Sequence, residues 1–156
     1  MTDIPTLRRI LATNKTIAVV GLSGDWYRPS FFAAKYMQEH GYRVVPVNPK
    51  YPEILGEKSY ASLADIPFPV DMVDCFRKTA DIVPVAREAI AIGAKVLWQQ
   101  LGVVNLEADA MVRAARMESV MDRCVKIEHA RLFGGLNWAG VNTRVISAKR
   151  PRHVAN

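Results

Sequence analysis

This sequence predicts an α/β fold: a doubly wound parallel sheet held between two layers of helices. Three observations predict it. From Lys15 to about Cys124, short apolar runs alternate with stretches of helical period. Glycines and capping residues stand at the joints. The first apolar run stops at a glycine turn that opens into a helix. Strands that alternate with helices pair in parallel, because each helix returns the chain across one face of the sheet. The crossovers are then right-handed.

The elements follow in order. Residues 17–20, Ile-Ala-Val-Val, form the first strand and end at Gly21. Arg28, Pro29 and Ser30 then lead into a helix with Phe32, Ala33, Tyr36 and Met37 on one side. Gly41 caps that helix at its C-terminus, and residues 43–47 form a second strand. Pro46 and Pro49 flank Val47-Asn48. Proline lacks an N–H, so this segment is expected to leave the sheet. Residues 51–69 are rich in proline and glycine around one apolar cluster, Tyr60, Leu63 and Ile66, and read as a connection with a short helix. Residues 70–76 form a third strand. Thr79 then caps a helix whose first turn carries Asp81, opposite in sign to the helix dipole. Ile82, Val85, Ala86, Ala89 and Ile90 make one buried stripe, and Gly93 ends it. Residues 95–98 are a fourth strand. Asn105 caps a helix with Ala108, Met111, Val112 and Ala115 inward, and residues 119–122 are a fifth strand. From Lys126 the pattern weakens into a short helix through Leu132 and a strand near 141–146.

Composition narrows the class. The 156 residues read as one domain, 1–156, with a basic tail at 148–156. A chain of this length buries about 70% of its unfolded surface and needs no disulfide or metal staple. No apolar run approaches the ~20 residues of a membrane span, and the first residues lack the basic start and apolar core of a signal peptide. Cys75 and Cys124 have no metal or redox spacing, so they read as free thiols in a reducing cytoplasm. The net charge of +6 suits a small polyanionic ligand. Lys149, Arg150 and Arg152 of the tail read as a solvated terminus, and basic residues are not interleaved with aromatics as in a single-strand nucleic-acid reader. Neither nucleic acid nor a membrane is an expected partner.

In doubly wound sheets ligands bind beyond the carboxyl ends of the strands. The residues there are Gly21 to Ser30, Asn48 to Lys50, Phe76 to Lys78, and Gln99 to Gly102. Gly21 and Gly24 allow a ligand close to the backbone, and free N–H groups at a helix start favour anions. A phosphate-bearing ligand is the leading expectation. Leu22 and Trp26 break the three-glycine dinucleotide fingerprint, and two glycines alone also make a plain tight turn. An NAD site carries an acidic residue at the end of the second strand to hold the ribose. Here that position reads Val47-Asn48-Pro49-Lys50, with a lysine and no carboxylate. This favours an adenosine ribose bearing its own phosphate, as in NADP or coenzyme A.

Five segments carry a family resemblance: Val-Val-Gly-Leu-Ser at 19–23, Arg-Pro-Ser at 28–30, Gly-Tyr-Arg-Val-Val-Pro-Val-Asn-Pro at 41–49, Trp-Gln-Gln-Leu-Gly at 98–102, and Met-Asp-Arg-Cys at 121–124. In this order they resemble the stand-alone CoA-binding proteins of the YccU type, which are similar to the N-terminal CoA-binding domain of the succinyl-CoA synthetase alpha subunit. The resemblance spans about residues 10–147. It implies a Rossmann-like domain that holds coenzyme A. Gly21, Ser23 and Gly24 would form the turn near the phosphates. Arg28 and Ser30 would offer a cation and a helix-start hydroxyl. Asn48, Pro49 and Lys50 would sit by the adenosine and its 3′-phosphate, Phe76 and Arg77 would line the far side of the adenosine slot, and Gln99 and Gln100 would lie nearer the pantetheine.

The resemblance also implies a role: a module that binds CoA or an acyl-CoA without chemistry of its own, as a carrier, a sensor or the partner of an acyl-CoA-handling protein. The synthetase has a second domain with a phosphorylated histidine, which this chain is expected to lack. No serine or cysteine stands with a histidine in a nucleophile arrangement. Glu128 and His129 are adjacent on a helix and do not face each other. Cys75, in a strand, reads as an inert core thiol. Trp26 and Tyr27 are candidates to stack on adenine or to fold back on the core, and Trp98 reads as core. Two other classes stay open. One is an NADP-dependent reductase, which would need a proton donor such as Tyr36 with Lys35. The other is a protein- or nucleic-acid-interaction domain using the basic tail.

Overall fold

The computed structural model describes residues 2–134. Its first element, α1 (Ile4–Thr13), precedes everything the sequence pattern anticipates. Asp3 caps it by accepting from the Thr6 amide at 2.9 Å, Pro5 sits in its first turn, and Leu7, Ile10 and Leu11 are fully buried. The remaining order is β1 (Thr16–Val20), α2 (Pro29–Glu39), β2 (Arg43–Val47), β3 (Glu53–Ile54), β4 (Glu57–Lys58), β5 (Met72–Cys75), α3 (Ile82–Ala91), β6 (Val96–Gln99), α4 (Leu106–Ala114), β7 (Glu118–Val120) and α5 (Val125–Phe133). The short helix expected between residues 51 and 69 is a 3-10 turn, Leu63–Asp65. A two-stranded hairpin, β3 and β4, precedes it. Leu55 and Gly56 turn that hairpin, both with positive φ as a two-residue loop requires. The expected strand at 141–146 and the tail at 148–156 lie outside the described residues.

Five parallel strands form one sheet in the order β2-β1-β5-β6-β7. Side chains alternate across it and divide the core in two. Ile17, Val19, Val44, Met72, Val96 and Trp98 pack under α1, α2 and α5. Ala18, Val20, Val45, Val73, Cys75 and Leu97 pack under α3 and α4. This is the Rossmann-like, three-layer arrangement. No helix among the described residues is long and apolar enough to cross a membrane.

One expectation needs correction. Pro46 does not take the chain out of the sheet, but stays in β2 opposite Val19. β2 is an edge strand, and the Pro46 carbonyl points outward, accepting from the Tyr60 amide at 3.0 Å. The missing N–H therefore faces the open edge, where no ladder bond is lost. The chain leaves the sheet after Val47, and the Asn48 amide donates to the Tyr60 carbonyl at 2.9 Å.

Candidate functional site

The strand order reverses at β1 and β5. From β1 the chain crosses to β2 on one side, and from β5 it proceeds to β6 and β7 on the other. A crevice opens outside the carboxyl ends at such a switch point. Here it has a volume of about 790 Å³. Side chains following all five strands of the sheet contribute to it. At the usual spacing of about 4.8 Å, five strand ends span about 19 Å. It is a groove rather than a round pocket.

Gly21 closes the β1 end of the groove. Its φ is +87°, and a Cβ there would lie 2.2 Å from the Phe76 carbonyl oxygen. Only glycine lets the exits of β1 and β5 approach so closely. Ser30, in the first turn of α2, accepts from the Ser23 amide at 3.0 Å, and the Ser23 hydroxyl accepts from the Asp25 amide at 3.0 Å. The loop is thus folded onto the helix start. Arg28 is the N-cap of α2 and makes no side-chain cap bond; Pro29 has no N–H, and the Phe31 and Phe32 amides donate to the Arg28 carbonyl at 3.0 and 3.3 Å, which leaves the Ser30 amide as the open donor of the first turn among the described residues. Asn48 staples the two loops: its amide donates to the Leu22 carbonyl at 2.9 Å, and its oxygen accepts from the Lys50 amide at 3.0 Å.

The groove is polarised along its length. Around β2, β1 and β5 it is lined by Arg28, Lys50, Arg77 and Lys78, with Asp25 as the acid among them. Around β6 and β7 it is lined by Gln100, Leu101, Val103, Cys124 and Ile127, where the one polar amide is Gln100. Trp26 and Tyr27 do not fold back on the core. They stand 70% and 59% exposed in the loop that carries Asp25 and Arg28.

Of the residues singled out from sequence, Gly21, Ser23, Arg28, Ser30, Asn48, Lys50, Phe76, Arg77 and Gln100 line this groove together. Gly24 acts one step back. A Cβ on it would lie 2.6 Å from the ring of Tyr51, so its bareness seats Tyr51 in the wall. Pro49 is not among the lining residues. Gln99 is fully buried and spent on the next loop, accepting from the Asn105 amide at 2.7 Å and donating to its carbonyl at 3.2 Å. Tyr51, Cys124 and Ile127 are lining residues that the sequence reading did not select. Cys124 stood in the Met-Asp-Arg-Cys segment just after the fifth strand, and the strand-end rule applied there would have found it.

Other candidates fall into structural roles. Trp98 is fully buried and donates its indole N–H to the Arg123 carbonyl at 2.7 Å. Burial pushes the Cys75 thiol well above its ordinary pKa. Glu128 is buried between Arg123 and Arg131, whereas His129 meets the Tyr36 hydroxyl at 3.0 Å through Nδ1. The two neighbours serve different contacts. Burial, with His40 and Lys15 nearby, pulls His129 down to about 4.

Comparison with known proteins identifies the family of this fold. The chain is 42% identical over 124 residues to the uncharacterized protein YneT of Bacillus subtilis (strain 168), covering 80% of this chain and 92% of that one. A solved hypothetical protein from Pyrococcus horikoshii OT3 superposes with a TM-score of 0.83 at 42% identity, covering 85% of this chain and 94% of that one. An ADP-forming acetate–CoA ligase II of Archaeoglobus fulgidus is 38% identical over 71 residues, which are 44% of this chain and 10% of the ligase. Residues 15–130, from β1 nearly to the end of α5, match the CoA binding domain family. With most of its length inside that match, the chain belongs to the CoA binding domain family.

Proposed function

We propose that this chain binds coenzyme A, or an acyl-CoA, along the groove and supplies no covalent chemistry of its own. The observation that carries the reading is the polarity of the groove. Coenzyme A is anionic at its nucleotide end, with a 3′-phosphate and a diphosphate. It is nearly neutral along pantetheine, with two amides and a terminal thiol. The groove has the same order, with four cations at one arm and an apolar wall with one amide at the other. The Ser30 amide at the start of α2 and the bare backbone at Gly21 suit the diphosphate. Lys50, just past β2, suits the 3′-phosphate, and Phe76 with Arg77 suits the adenosine. The arm lined by Gln100 and Cys124 suits pantetheine and its thiol.

The role follows from this division of labour. CoA carries its own reactive thiol, so the protein needs to supply only binding and orientation. The match to a small part of an acetate–CoA ligase fits a module that hands CoA or acyl-CoA to a separate acyl-handling protein. An NADP-dependent reductase is less well supported. Tyr36, its candidate proton donor, is held by His129 and is not among the groove-lining residues.

Calorimetry with CoA, NAD and NADP at matched salt tests the reading. CoA is expected to bind more tightly than either dinucleotide. NAD binding as tight as CoA binding would refute it.

A further inference from the structure

Two carboxyls are buried among the described residues, and they are treated differently. Glu128 lies between two guanidinium groups. Asp74 is 1% exposed, and its one side-chain hydrogen bond among the described residues is to neutral Gln100. A buried carboxyl without a cation costs stability. Burial pushes Asp74 up to about 7, with the Gln100 bond acting in the opposite direction. Core packing alone gives no reason to keep a carboxyl there.

Its position does give one. Asp74 is on the central strand β5, level with Val19 of β1 and Trp98 of β6, so it faces the layer under α2 and α5. Two residues further on, Phe76 lines the groove. The Gln100 amide is held from both sides. Its Nε2 donates to Asp74 Oδ1 at 2.5 Å, and its Oε1 accepts from the Val125 amide at the start of α5 at 3.4 Å. An amide nitrogen carries two hydrogens, and only one is used here. With Oε1 turned to an N–H and Nε2 to an oxygen, the amide cannot flip without losing both bonds.

We propose that Asp74 is a positioning residue of the groove: through Gln100 it fixes one N–H donor in the pantetheine arm, aimed at a carbonyl of the ligand. This rests on the CoA reading. The carbonyl can be a pantetheine amide or, in an acyl-CoA, the thioester, and the ligands tested separate the two.

The experiment measures binding of CoA, acetyl-CoA and adenosine 3′,5′-bisphosphate to the whole chain and to Gln100→Leu, Asp74→Leu and Asp74→Asn. The bisphosphate lacks pantetheine and reports both the nucleotide arm and intact folding. Gln100→Leu is expected to weaken acetyl-CoA, and free CoA too where the donor meets a pantetheine amide, by about tenfold, as for loss of one hydrogen bond to a buried group, and to leave the bisphosphate unchanged. Asp74→Leu should follow the same pattern, while Asp74→Asn, which keeps an acceptor for Nε2, should restore CoA binding. A loss confined to acetyl-CoA assigns the donor to the thioester, and an equal loss for both CoA species assigns it to pantetheine. Unchanged binding of both CoA and acetyl-CoA in Gln100→Leu overturns the proposal, as does a loss that extends equally to the bisphosphate. If Asp74→Leu does not fold, the smaller Asp74→Ala, which also lacks an acceptor for Nε2, takes its place, and binding of both CoA species left unchanged in a folded variant of either kind overturns the proposal. Failure of the wild-type chain to bind CoA overturns the functional reading itself, and this inference with it.

Discussion

On the proposed CoA reading, Lys50 and Gly21 would serve the same ligand in opposite ways, one by adding a charge and one by withholding a side chain. Lys50 is exposed beside the Asn48 staple and has no salt-bridge partner among the described residues. A charge-assisted contact is worth about 1.5–3 kcal/mol. Lys50→Ala is therefore expected to weaken CoA by about tenfold or more and to affect dephospho-CoA much less. Calorimetry with the two ligands checks this, and an equal loss for both removes Lys50 from the 3′-phosphate. Gly21→Ala meets two obstacles, a positive φ and the Phe76 carbonyl oxygen 2.2 Å from the new Cβ. The variant should lose at least about 1 kcal/mol of stability and also bind CoA more weakly, because β1 and β5 must part at the floor of the groove. Urea unfolding and a binding isotherm on the same sample read both. At this scale the sequence showed which residue types stand at the strand ends. It did not show that Gly24 serves Tyr51, 27 positions away across two irregular loops. Nor did it single out Asp74, because the strand read at 70–76 holds two aspartates, and only the structure separates Asp71 at its edge from Asp74 inside it.

The elements were legible where their periodicity was long or their caps plain. The Asn105 cap of α4 and the buried stripe of α3 are present as the pattern implies. Helix α1 lies ahead of the strand–helix alternation that begins at Lys15 and on which the expected elements rest. Asp3 and Pro5, with Leu7, Ile10 and Leu11 at helical spacing, were sufficient to mark it. β2 has the bounds that the pattern implies, Arg43–Val47, and only the expected departure of Val47 from the sheet differs, because an edge strand accommodates Pro46. The contact between α2 and α5 makes a prediction of its own. Tyr36 on α2 meets His129 on α5, and Tyr42, just after α2, packs edge-on to the same ring at 5.5 Å. The native imidazole titrates at about 4, below the ordinary value of 6.5. The unfolded chain therefore binds the proton first. The stability due to neutral His129 is complete above pH 6.5 and is lost as the pH falls from there toward 4. Asp74 has the opposite sign. Its native value, near 7, is raised above 3.8, so its penalty grows as the pH rises from about 4 to 7. Urea melts from pH 4 to 8 should show Asp74→Asn more stable relative to wild type at pH 8 than at pH 4. His129→Phe should reduce the loss on the acid side. A difference between wild type and Asp74→Asn that does not vary with pH would show that Asp74 does not titrate in this range.

For the molecule as a whole, the parallel sheet and its switch point define the groove, and the loops beyond the strand ends set its chemistry. The central claim is directional: the nucleotide end of CoA lies over β2, β1 and β5, and the thiol end over β6 and β7. The alternation of strands and helices made the location of the groove readable, because ligand position in this architecture depends on strand ends. Its direction was given only by the family resemblance, with Lys50 at the 3′-phosphate and Gln99 and Gln100 nearer the pantetheine, and not by strand-end position alone. From the strands it needed the spatial order β2-β1-β5-β6-β7, which places Lys50 and Cys124 at opposite ends although both follow strands. A crystal structure of the chain with CoA tests the claim most directly. The 3′-phosphate is expected within contact distance of Lys50 and the thiol beside Gln100 and Cys124. CoA bound elsewhere, or reversed with its thiol at Lys50, would contradict the account.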